Sequence, residues 1–400
     1  MVKPKMLESP AGTSNSFTVI ARHLVFLFLF SAFIGIASET NTAEIHLASP
    51  TDYQVVQRQT KTTGTLVIAG SSGTDPKQSV PWDSLEARVS GTNWQALPFD
   101  PHVPAFRGEL VVPAGGWYRL EVRALRSGQA VATNSVEHVG VGDVFVIGGQ
   151  SNSANYGEEK NRTQTGLVAA FDGTRWQLAA DPEPGAGGTK GSFMPLFGDE
   201  LAERLHMPIG IVPVGIGSTS VREWLPSGVR FTNLPPLTRN VVSVGPGEWE
   251  SSGKIFTDFT TRMKQLGPNG FCAVLWHQGE SDAKQADPMR TLPGSLYRQF
   301  LERLIRDSRR EIGWNAPWFV AQASYHSPQD TGSPDIRDAQ KAVCDDGLAI
   351  LGPDTDTLLG DMREKNGAGI HLSAKGLKAH AHLWVEKVGP WREQWRANKN

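Results

Sequence analysis

From about residue 141 onward, short apolar runs alternate with longer amphipathic stretches, and no other feature of the chain constrains its fold as strongly. This alternation is typical of a parallel β-sheet whose strands are joined by helices. We therefore predict an α/β domain over residues 141–393. The apolar runs predict strands at 144–147, 209–214, 271–276, 318–321 and 348–351, and the amphipathic stretches predict helices near 193–205, 254–266, 295–312, 335–343 and 374–388.

Residues 44–140 have a different pattern. Short segments that alternate apolar and polar residues are separated by turn-forming Gly, Pro, Asn and Ser. In residues 117–123 the alternation is strict, as in an antiparallel strand that is buried on one face. The length and texture of this region predict a small immunoglobulin-like β-sandwich ahead of the α/β domain. Two domains agree with a chain of 400 residues, at roughly 150 residues per domain.

Residues 1–37 predict an export signal. Basic residues precede an apolar run over residues 24–37, which ends in the small-x-small sequence 35–37 (Gly-Ile-Ala). The run is shorter than the roughly 20 residues of a transmembrane helix and matches a secretory signal peptide. We therefore expect a periplasmic or extracellular protein that begins near Ser38 and has no membrane attachment after cleavage. An uncleaved membrane anchor is the alternative.

Composition excludes several classes of partner and cofactor. The formal net charge is −2, which provides no overall field for a nucleic acid, so no nucleic-acid partner is expected. The two cysteines, Cys272 and Cys344, cannot build a disulfide framework or a Cys-rich zinc site. His277, Glu280 and Asp282 are of metal-binding types, but their spacing on a loop is arbitrary. A buried Glu280 bonded to backbone amides is the favoured interpretation. We predict no metal and no cofactor.

Polar residues follow four positions where predicted strands end. The carboxyl ends of parallel strands meet at one edge of a sheet, where ligands bind. The long segments 161–191 and 225–249 show no periodicity and are predicted to be loops that border this site. The polar stretches are 148–153 (Gly-Gly-Gln-Ser-Asn-Ser), 215–224 (Gly-Ile-Gly-Ser-Thr-Ser-Val-Arg-Glu-Trp), 277–282 (His-Gln-Gly-Glu-Ser-Asp) and 369–373 (Gly-Ile-His-Leu-Ser).

These stretches combine the parts of an acyl-transfer site. They supply a serine in a Gly-rich turn, a Gly-Ser-Thr turn with backbone donors, a side-chain amide and a histidine that can act as a base. The Gly-x-Ser-x-Gly motif of the α/β-hydrolases does not occur in the chain.

The motifs resemble those of the SGNH hydrolase superfamily and, within it, of the sialate O-acetylesterase-like carbohydrate esterases. Residues 149–152 (Gly-Gln-Ser-Asn) resemble the first block of that family, residues 217–224 its second block, and residues 276–280 (Trp-His-Gln-Gly-Glu) its third. The resemblance implies a flavodoxin-like, three-layer α/β fold with a parallel sheet. It also implies an exported serine esterase that removes O-acetyl groups from an acetylated carbohydrate through an acyl-enzyme intermediate.

The resemblance also implies a role for each matching residue. Ser151 would be the nucleophile and His371 the general base. The oxyanion would be held by the backbone N–H of Ser151, by that of Gly217 or Ser218, and by the side-chain amide of Gln278. The remaining motif residues would have structural roles near the site: Gln150, Asn152 and Glu280.

Three positions depart from the family pattern. Ala368 stands where the family has an aspartate, three residues before the histidine, Ser218 stands where relatives carry a second glycine, and Ser153 stands where they carry methionine. The first departure matters most, because loss of the orienting carboxylate in a well-studied serine protease lowered turnover by about 10⁴.

Three interpretations of the missing aspartate remain open. The site is a Ser-His dyad, or the acid comes from Asp354, Asp356 or Asp361, or the protein is a catalytically degenerate glycan-binding protein on the same scaffold. Retention of Ser151, His371 and an amide favours the first two.

Overall fold

The structure is a computed structural model that describes residues 44–72 and 82–394, so the predicted export signal lies outside the described residues. The described strands before residue 150 form two antiparallel groups, apart from the short strand Gln54–Gln57, which pairs in parallel with residues 139–142. One is the sheet β1-β3-β6; in the other, β7 pairs with β4 and with the first part of β8. These strands are β1 (Ile45–Ser49), β2 (Gln54–Gln57), β3 (Thr63–Ser72), β4 (Ser84–Val89), β5 (Gln95–Leu97), β6 (Ala105–Pro113), β7 (Gly115–Arg126) and β8 (Gln129–Gly149).

Alternate residues of these strands are buried together. Leu120 and Val122 of β7 lie in the same hydrophobic cluster as Leu66 and Ile68 of β3, so the two groups of strands share one core. The alternation predicted for residues 117–123 is confirmed by the buried side chains of β7.

The rest of the described chain alternates strands with helices, as its sequence predicts. All five predicted helices and the strands that precede them are confirmed, but the strand predicted at 144–147 begins much earlier, at Gln129, and the helix predicted at 374–388 continues to Gln394. The elements are β9 (Val168–Phe171), β10 (Trp176–Leu178), α1 (Met194–Leu205), β11 (Ile209–Pro213), β12 (Arg230–Phe231), β13 (Val241–Gly245), β14 (Glu248–Ser251), α2 (Lys254–Gln265), β15 (Ala273–His277), α3 (Gly294–Ile312), β16 (Trp318–Gln322), α4 (Pro334–Asp345), β17 (Ile350–Asp354) and α5 (Ala374–Gln394).

The prediction that segments 161–191 and 225–249 are loops without regular structure is wrong. The first contains β9 and β10, and the second contains most of a small antiparallel sheet with the order β12-β14-β13. These strands have only 2 to 5 residues each, which is too short for a period of two to stand out in the sequence.

The large sheet is mixed, and helices pack on both of its faces. Its main path is β10-β9-β11-β8-β15-β16-β17, in which every neighbouring pair except β10 and β9 is parallel. On one face Val144 and Val146 of β8 pack in a cluster with α2, α3 and α4. On the other face Phe145 and Ile147 pack with α1 and α5.

Strand β8 connects the two parts of the described chain. Its first half is antiparallel to β7, whereas its second half lies between the parallel strands β11 and β15. One continuous strand therefore crosses residue 140, where the sequence pattern changes. After β8 the chain adds β11 on one side of this strand and later adds β15 on its other side, so the strand order reverses at β8. In parallel sheets, ligands bind at such a reversal.

Neither a membrane-spanning helix nor a disulfide occurs in the part of the chain that the structure describes. No described helix is both long and apolar enough to cross a bilayer. Cys272 is buried, Cys344 is half-buried, and both are free thiols.

Candidate active site

Ser151 lies in a tight turn at the carboxyl end of β8. A one-turn 3₁₀ helix, Ser151–Ser153, begins directly after the strand. Gly149 has a φ of +125°, and a Cβ at this position would lie 2.0 Å from the carbonyl oxygen of His277, so only glycine permits this approach of β8 to β15. Ser151 is 5% exposed, and no described residue accepts a hydrogen bond from its backbone N–H. The turn therefore presents a serine and a free backbone donor at the edge of the sheet.

His371 is paired with a glutamate across a hairpin. The distance from His371 Nδ1 to Glu364 Oε1 is 2.9 Å, and the backbone N–H of Glu364 donates to the carbonyl oxygen of His371 at 2.9 Å. Lys365, Asn366 and Gly367 all have positive φ values, of 55°, 55° and 92°, and turn the chain back on itself between the two partners. The carboxylate thus lies where it can hold one nitrogen of the imidazole.

The electrostatics of this pair favour a neutral imidazole with a fixed tautomer. Burial lowers the pKa of His371, and the Glu364 carboxylate opposes this effect by favouring the protonated form. An ionised carboxylate only accepts hydrogen bonds, so His371 Nδ1 carries the hydrogen and Nε2 has a free lone pair. Lys190 Nζ lies 3.7 Å from Glu364 Oε2, and the Tyr156 ring stacks on the imidazole with 5.4 Å between centroids.

The structure brings the serine turn and the histidine segment together. Asn152 Nδ2 donates to the carbonyl oxygen of Ile370 at 3.5 Å, and Glu158 N donates to that of Leu372 at 2.9 Å. Asn152 directly follows the serine, and Ile370 and Leu372 are the two sequence neighbours of His371. The described side chains show no direct hydrogen bond between Ser151 Oγ and the imidazole, and such bonds are commonly long in the free state of serine hydrolases.

The three aspartates predicted as orienting acids have other partners. Asp354 and Asp356 both pair with Arg337, at 2.6 and 2.8 Å, and Asp361 pairs with Lys375 at 2.7 Å. None of them contacts the imidazole of the site, so the prediction that one of them orients it is wrong. The physical reason is that the basic partners of these aspartates hold them where β17 ends and beside the start of α5.

The carboxylate that does contact the imidazole is that of Glu364, seven residues before His371, which is not among the residues predicted from the sequence. The signal that predicts it is the dipeptide 366–367 (Asn-Gly), which favours a tight turn with positive φ. Such a turn pairs the residues on its two sides, and the bridge between Arg363 and Leu372 does so next to this pair.

The side chain of Gln278 does not face the site as predicted. Its Nε2 donates to Asp282 Oδ2 at 2.7 Å, to the Thr219 carbonyl oxygen at 3.1 Å and to Gln150 Oε1 at 3.3 Å, and its Oε1 accepts from the Tyr297 hydroxyl at 3.1 Å. The residue is fully buried. Gln278 is predicted to be an oxyanion donor; a primary amide has two N–H hydrogens, and in this structure its nitrogen is surrounded by internal acceptors.

Gly217 and Ser218 form a second free backbone edge. No described acceptor contacts the backbone N–H of either residue. A Cβ at Gly217 would lie 2.4 Å from the Tyr156 hydroxyl oxygen, so a larger residue there would require the tyrosine ring to move. Ser218 has a φ of +62°, a conformation that favours glycine. Of the two, Gly217 is buried beside the Ser151 turn and Ser218 is exposed.

Asp282 holds the loop after β11 in place. Its carboxylate accepts hydrogen bonds from Ser220 Oγ at 2.5 Å and from Val221 N at 2.9 Å, and it pairs with Arg222 Nη2 at 3.0 Å. All of these groups are buried. The third block of the sequence therefore supports the second through one carboxylate.

Glu280 is buried as predicted, but side chains rather than backbone amides bind its Oε1. Asn152 Nδ2 donates to it at 2.9 Å, and His277 Nε2 lies 3.3 Å away. Burial favours the neutral acid, but these hydrogen bonds outweigh it and lower the pKa of Glu280 to about 2. His277 Nδ1 in turn lies 3.1 Å from Nε2 of the buried His380 of α5. Asn152 is thereby fixed beside the serine by an ionised carboxylate.

Comparison with known proteins identifies one family. The family model described as carbohydrate esterase, sialic acid-specific acetylesterase, matches residues 141–387. No curated protein sequence matches the chain.

Several solved structures resemble the chain over most of its length. XAC1771, a carbohydrate acetylesterase from Xanthomonas citri, is 19% identical over 85% of this chain and 74% of its own, with a TM-score of 0.48. NanS is 16% identical over 63% of this chain and 98% of its own, with a TM-score of 0.43. A family 2 carbohydrate esterase from Corynascus thermopiles (Myceliophthora fergusii) is 13% identical over 88% of this chain and its whole length, with a TM-score of 0.35.

Proposed function

Because the chain belongs to the sialic acid-specific acetylesterase family of carbohydrate esterases, it is a carboxylic ester hydrolase, and we propose that it removes O-acetyl groups from a carbohydrate through an acyl-enzyme intermediate on Ser151. The observation that carries this proposal is the pairing of His371 with Glu364 beside the Ser151 turn. A serine hydroxyl is a poor nucleophile until a base takes its proton, and an oriented neutral imidazole is such a base.

The first half of the reaction transfers the acetyl group to the protein. His371 Nε2 takes the proton of Ser151 Oγ as that oxygen attacks the carbonyl carbon of the ester. The tetrahedral intermediate then collapses, the bond from that carbon to the sugar oxygen breaks, and the imidazolium returns the proton to the leaving sugar hydroxyl. Glu364 stabilises the imidazolium while the proton is on the ring.

The second half regenerates the enzyme. Water attacks the acetyl-serine carbonyl carbon as His371 removes its proton, the bond to Ser151 Oγ breaks, and the proton returns to that oxygen as acetic acid leaves. The negative oxygen of each intermediate needs donors, and the unpaired backbone N–H groups of Ser151 and Gly217 support its stabilisation on the same edge of the sheet.

Two further parts of the proposal concern the rest of the chain. Residues 44–140 form an immunoglobulin-like sandwich, and residues 141–393 form an SGNH-type, flavodoxin-like domain.

The first 37 residues act as a signal peptide, which makes the protein periplasmic or extracellular. N-terminal sequencing of protein recovered outside the cytoplasm tests the export, with Ser38 as the expected first residue; an intact N-terminus in a membrane fraction contradicts it.

Replacement of Ser151 by alanine tests the mechanism. We expect Ser151→Ala to lower turnover of p-nitrophenyl acetate and of acetylated sugars by about 10⁶, as removal of the nucleophile does in a well-studied serine hydrolase. The variant should still bind the carbohydrate. Ser281→Ala is the matched control, because Ser281 lies at the same edge and its hydroxyl bonds to no described residue. Wild-type protein that binds acetylated glycan without hydrolysing it would instead indicate the glycan-binding alternative.

A further inference from the structure

A cavity of about 330 Å³ lies beside the carboxyl end of β11, on the face of the sheet that α2 covers. Its volume is at the lower end of the range for small-molecule sites. Neither Ser151 nor His371 lines it, so it is separate from the acyl-transfer site. Its walls combine apolar and polar side chains, which include those of Ile216, Ile255, Phe259, Thr174, Asp258 and Arg262.

Arg262 of α2 has no hydrogen-bond partner in the part of the chain that the structure describes. Its Nη1 is completely buried, whereas Nε and Nη2 keep some accessible surface. A guanidinium has five N–H donors, and burial of such donors without acceptors costs free energy. An acceptor from outside the described chain is therefore needed to satisfy them.

Two glycines hold the guanidinium in place. A Cβ at Gly173 would lie 2.6 Å from Nε of Arg262, and a Cβ at Gly185 would lie 2.6 Å from its Nη1. Both glycines have positive φ values, of 102° and 93°. Because the backbone of two segments approaches so closely, the guanidinium has little freedom to turn. A planar fork held in this way is suited to bind an oxyanion through two parallel hydrogen bonds.

The charges around Arg262 do not neutralise it. The carboxylates of Asp172 and Asp258 attract its charge, but neither of them forms an ion pair with it. Asp172 pairs with Arg175 at 3.5 Å, and Asp258 pairs with Lys254. Three basic and two acidic groups therefore leave one excess positive charge at the cavity. Burial lowers the pKa of Arg262, but a guanidinium stays protonated in proteins.

We propose that this cavity is a second ligand site, which binds a singly charged carboxylate on the fork of Arg262. One excess positive charge matches a carboxylate, whereas a phosphate group carries about 1.5–2 negative charges at pH 7. The carboxylate belongs to an acidic sugar or to free acetate, and the apolar side chains of Ile216 and Phe259 border the organic part of either molecule. This inference goes beyond the proposed function and does not depend on it.

Titration calorimetry with sodium glucuronate and with sodium acetate tests the proposal, at an ionic strength held constant with sodium chloride. Glucose is the neutral counterpart of glucuronate. We expect wild-type protein to bind one carboxylate per chain and no glucose. Arg262→Met should weaken the affinity for the carboxylate by about 10–100-fold, because hydrogen bonds to charged groups are among the strongest.

Urea unfolding provides a second measurement. Glucuronate at about 100 times its dissociation constant should raise the folding equilibrium constant of wild type about 100-fold. The same concentration should have a much smaller effect on Arg262→Met. Without any carboxylate, Arg262→Met should be at least as stable as wild type, because it no longer buries an unpaired N–H group.

Two further variants control for unspecific effects. Arg306→Met removes an exposed helix arginine that pairs with Glu302 and lies outside the cavity, so it should bind carboxylate like wild type. Arg262→Lys keeps the charge but not the fork, so its affinity should lie between those of wild type and Arg262→Met. Full turnover of p-nitrophenyl acetate verifies that each variant is folded, and Arg262→Lys decides the test if Arg262→Met does not fold.

The source of the carboxylate follows from the relative affinities. Glucuronate bound at least about tenfold more tightly than acetate would identify an acidic sugar, and equal affinities would identify the carboxylate group alone, as in acetate.

Four results would overturn the proposal: no binding of carboxylate to wild type, equal binding of glucose, equal binding of inorganic phosphate, or wild-type affinity in Arg262→Met. Ser151→Ala should bind carboxylate like wild type. Failure of the carboxylate site is therefore distinguishable from failure of the proposed acyl-enzyme mechanism, which Ser151→Ala tests through turnover.

Discussion

Two buried aspartates lie near opposite ends of the parallel strands, and arginine neutralises both. At the carboxyl end, Asp282 pairs with Arg222 at 3.0 Å. At the amino end of the parallel part of β8, Asp143 pairs with Arg58 at 2.7 Å and also with Arg392. Both carboxylates are fully buried. The partners differ in where they come from: Arg222 belongs to a loop that borders the site, whereas Arg58 follows β2 and Arg392 lies near the end of α5.

This difference indicates what each cluster stabilises. The Asp282 carboxylate binds the backbone of the loop after β11, and this loop carries Gly217 at the border of the site. Loss of this cluster should therefore disturb the site as well. The Asp143 cluster joins segments separated by 85 and 249 residues in sequence and has no contact with the site. We therefore expect the first cluster to influence both stability and turnover, and the second to influence stability alone.

Of the variants that test this comparison, Asp282→Asn should have the largest effect on stability and turnover taken together. The substitution leaves Arg222 buried without its carboxylate, which typically costs about 3–5 kcal/mol in the free energy of unfolding. It also releases the loop after β11, and a displacement of about 1 Å at a reacting centre costs about 10² in turnover. Urea unfolding and turnover of p-nitrophenyl acetate measure the two effects. Normal turnover in a destabilised variant would show that the cluster does not support the site.

Asp143→Asn sharpens the comparison, because it should destabilise the protein by a similar amount, about 3–5 kcal/mol, while leaving turnover per folded molecule unchanged. Burial raises the pKa of Asp143, but hydrogen bonds and charge from Arg392 and Arg58 outweigh it and lower the pKa below its ordinary value.

A depressed pKa in the folded state contributes stability that is present above the unfolded pKa of about 3.9 and is lost as the pH falls. The difference in stability between wild type and Asp143→Asn should therefore shrink below about pH 4. Asp258→Asn, at an exposed ion pair with Lys254, is the matched control and should cost less than about 1 kcal/mol. A loss of turnover in Asp143→Asn would break the comparison.

Glu364→Gln should lower turnover by about 10²–10⁴ with a smaller effect on stability than either aspartate variant. The amide retains the size of the side chain, but it loses the charge that stabilises the imidazolium, and its NH₂ group favours the wrong tautomer of His371. The control is Asp361→Asn, which removes a carboxylate that pairs with Lys375 instead. Equal losses in the two variants would mean that Glu364 does not orient the histidine.

The smallest expected effect is a shift in the pH dependence of kcat/KM. Burial lowers the pKa of His371 and the carboxylate of Glu364 raises it. Since the base must be neutral, activity is lost as the pH falls through this pKa. Removal of the carboxylate in Glu364→Gln should lower the pKa further, so the acidic limb of the profile should move to lower pH while its plateau falls. A shift to higher pH would contradict this assignment.

Much of the fold is predictable because its elements are long and periodic. The stripe of buried residues in α3 and the apolar runs of β8 and β15 each extend far enough for a period to be seen. The short strands β9, β10 and β12 were not predictable, since hydrogen bonding to neighbours, rather than a pattern of their own, makes them strands. The continuity of β8 across residue 140 was also hidden, because one strand passes through two environments with different burial.

The sequence by itself determined the parallel α/β pattern, the position of Ser151 at a strand end and that of His371 before the last helix, because strand ends and helix starts are local properties. The tertiary structure decided which carboxylate meets His371 and which side chains hold the loops around the site. Those choices depend on contacts between distant segments: Glu364 reaches the imidazole across a tight turn, whereas the aspartates are held by Arg337 and Lys375. A side chain with a stronger partner elsewhere cannot serve the site, and partners are set by packing that no local pattern records.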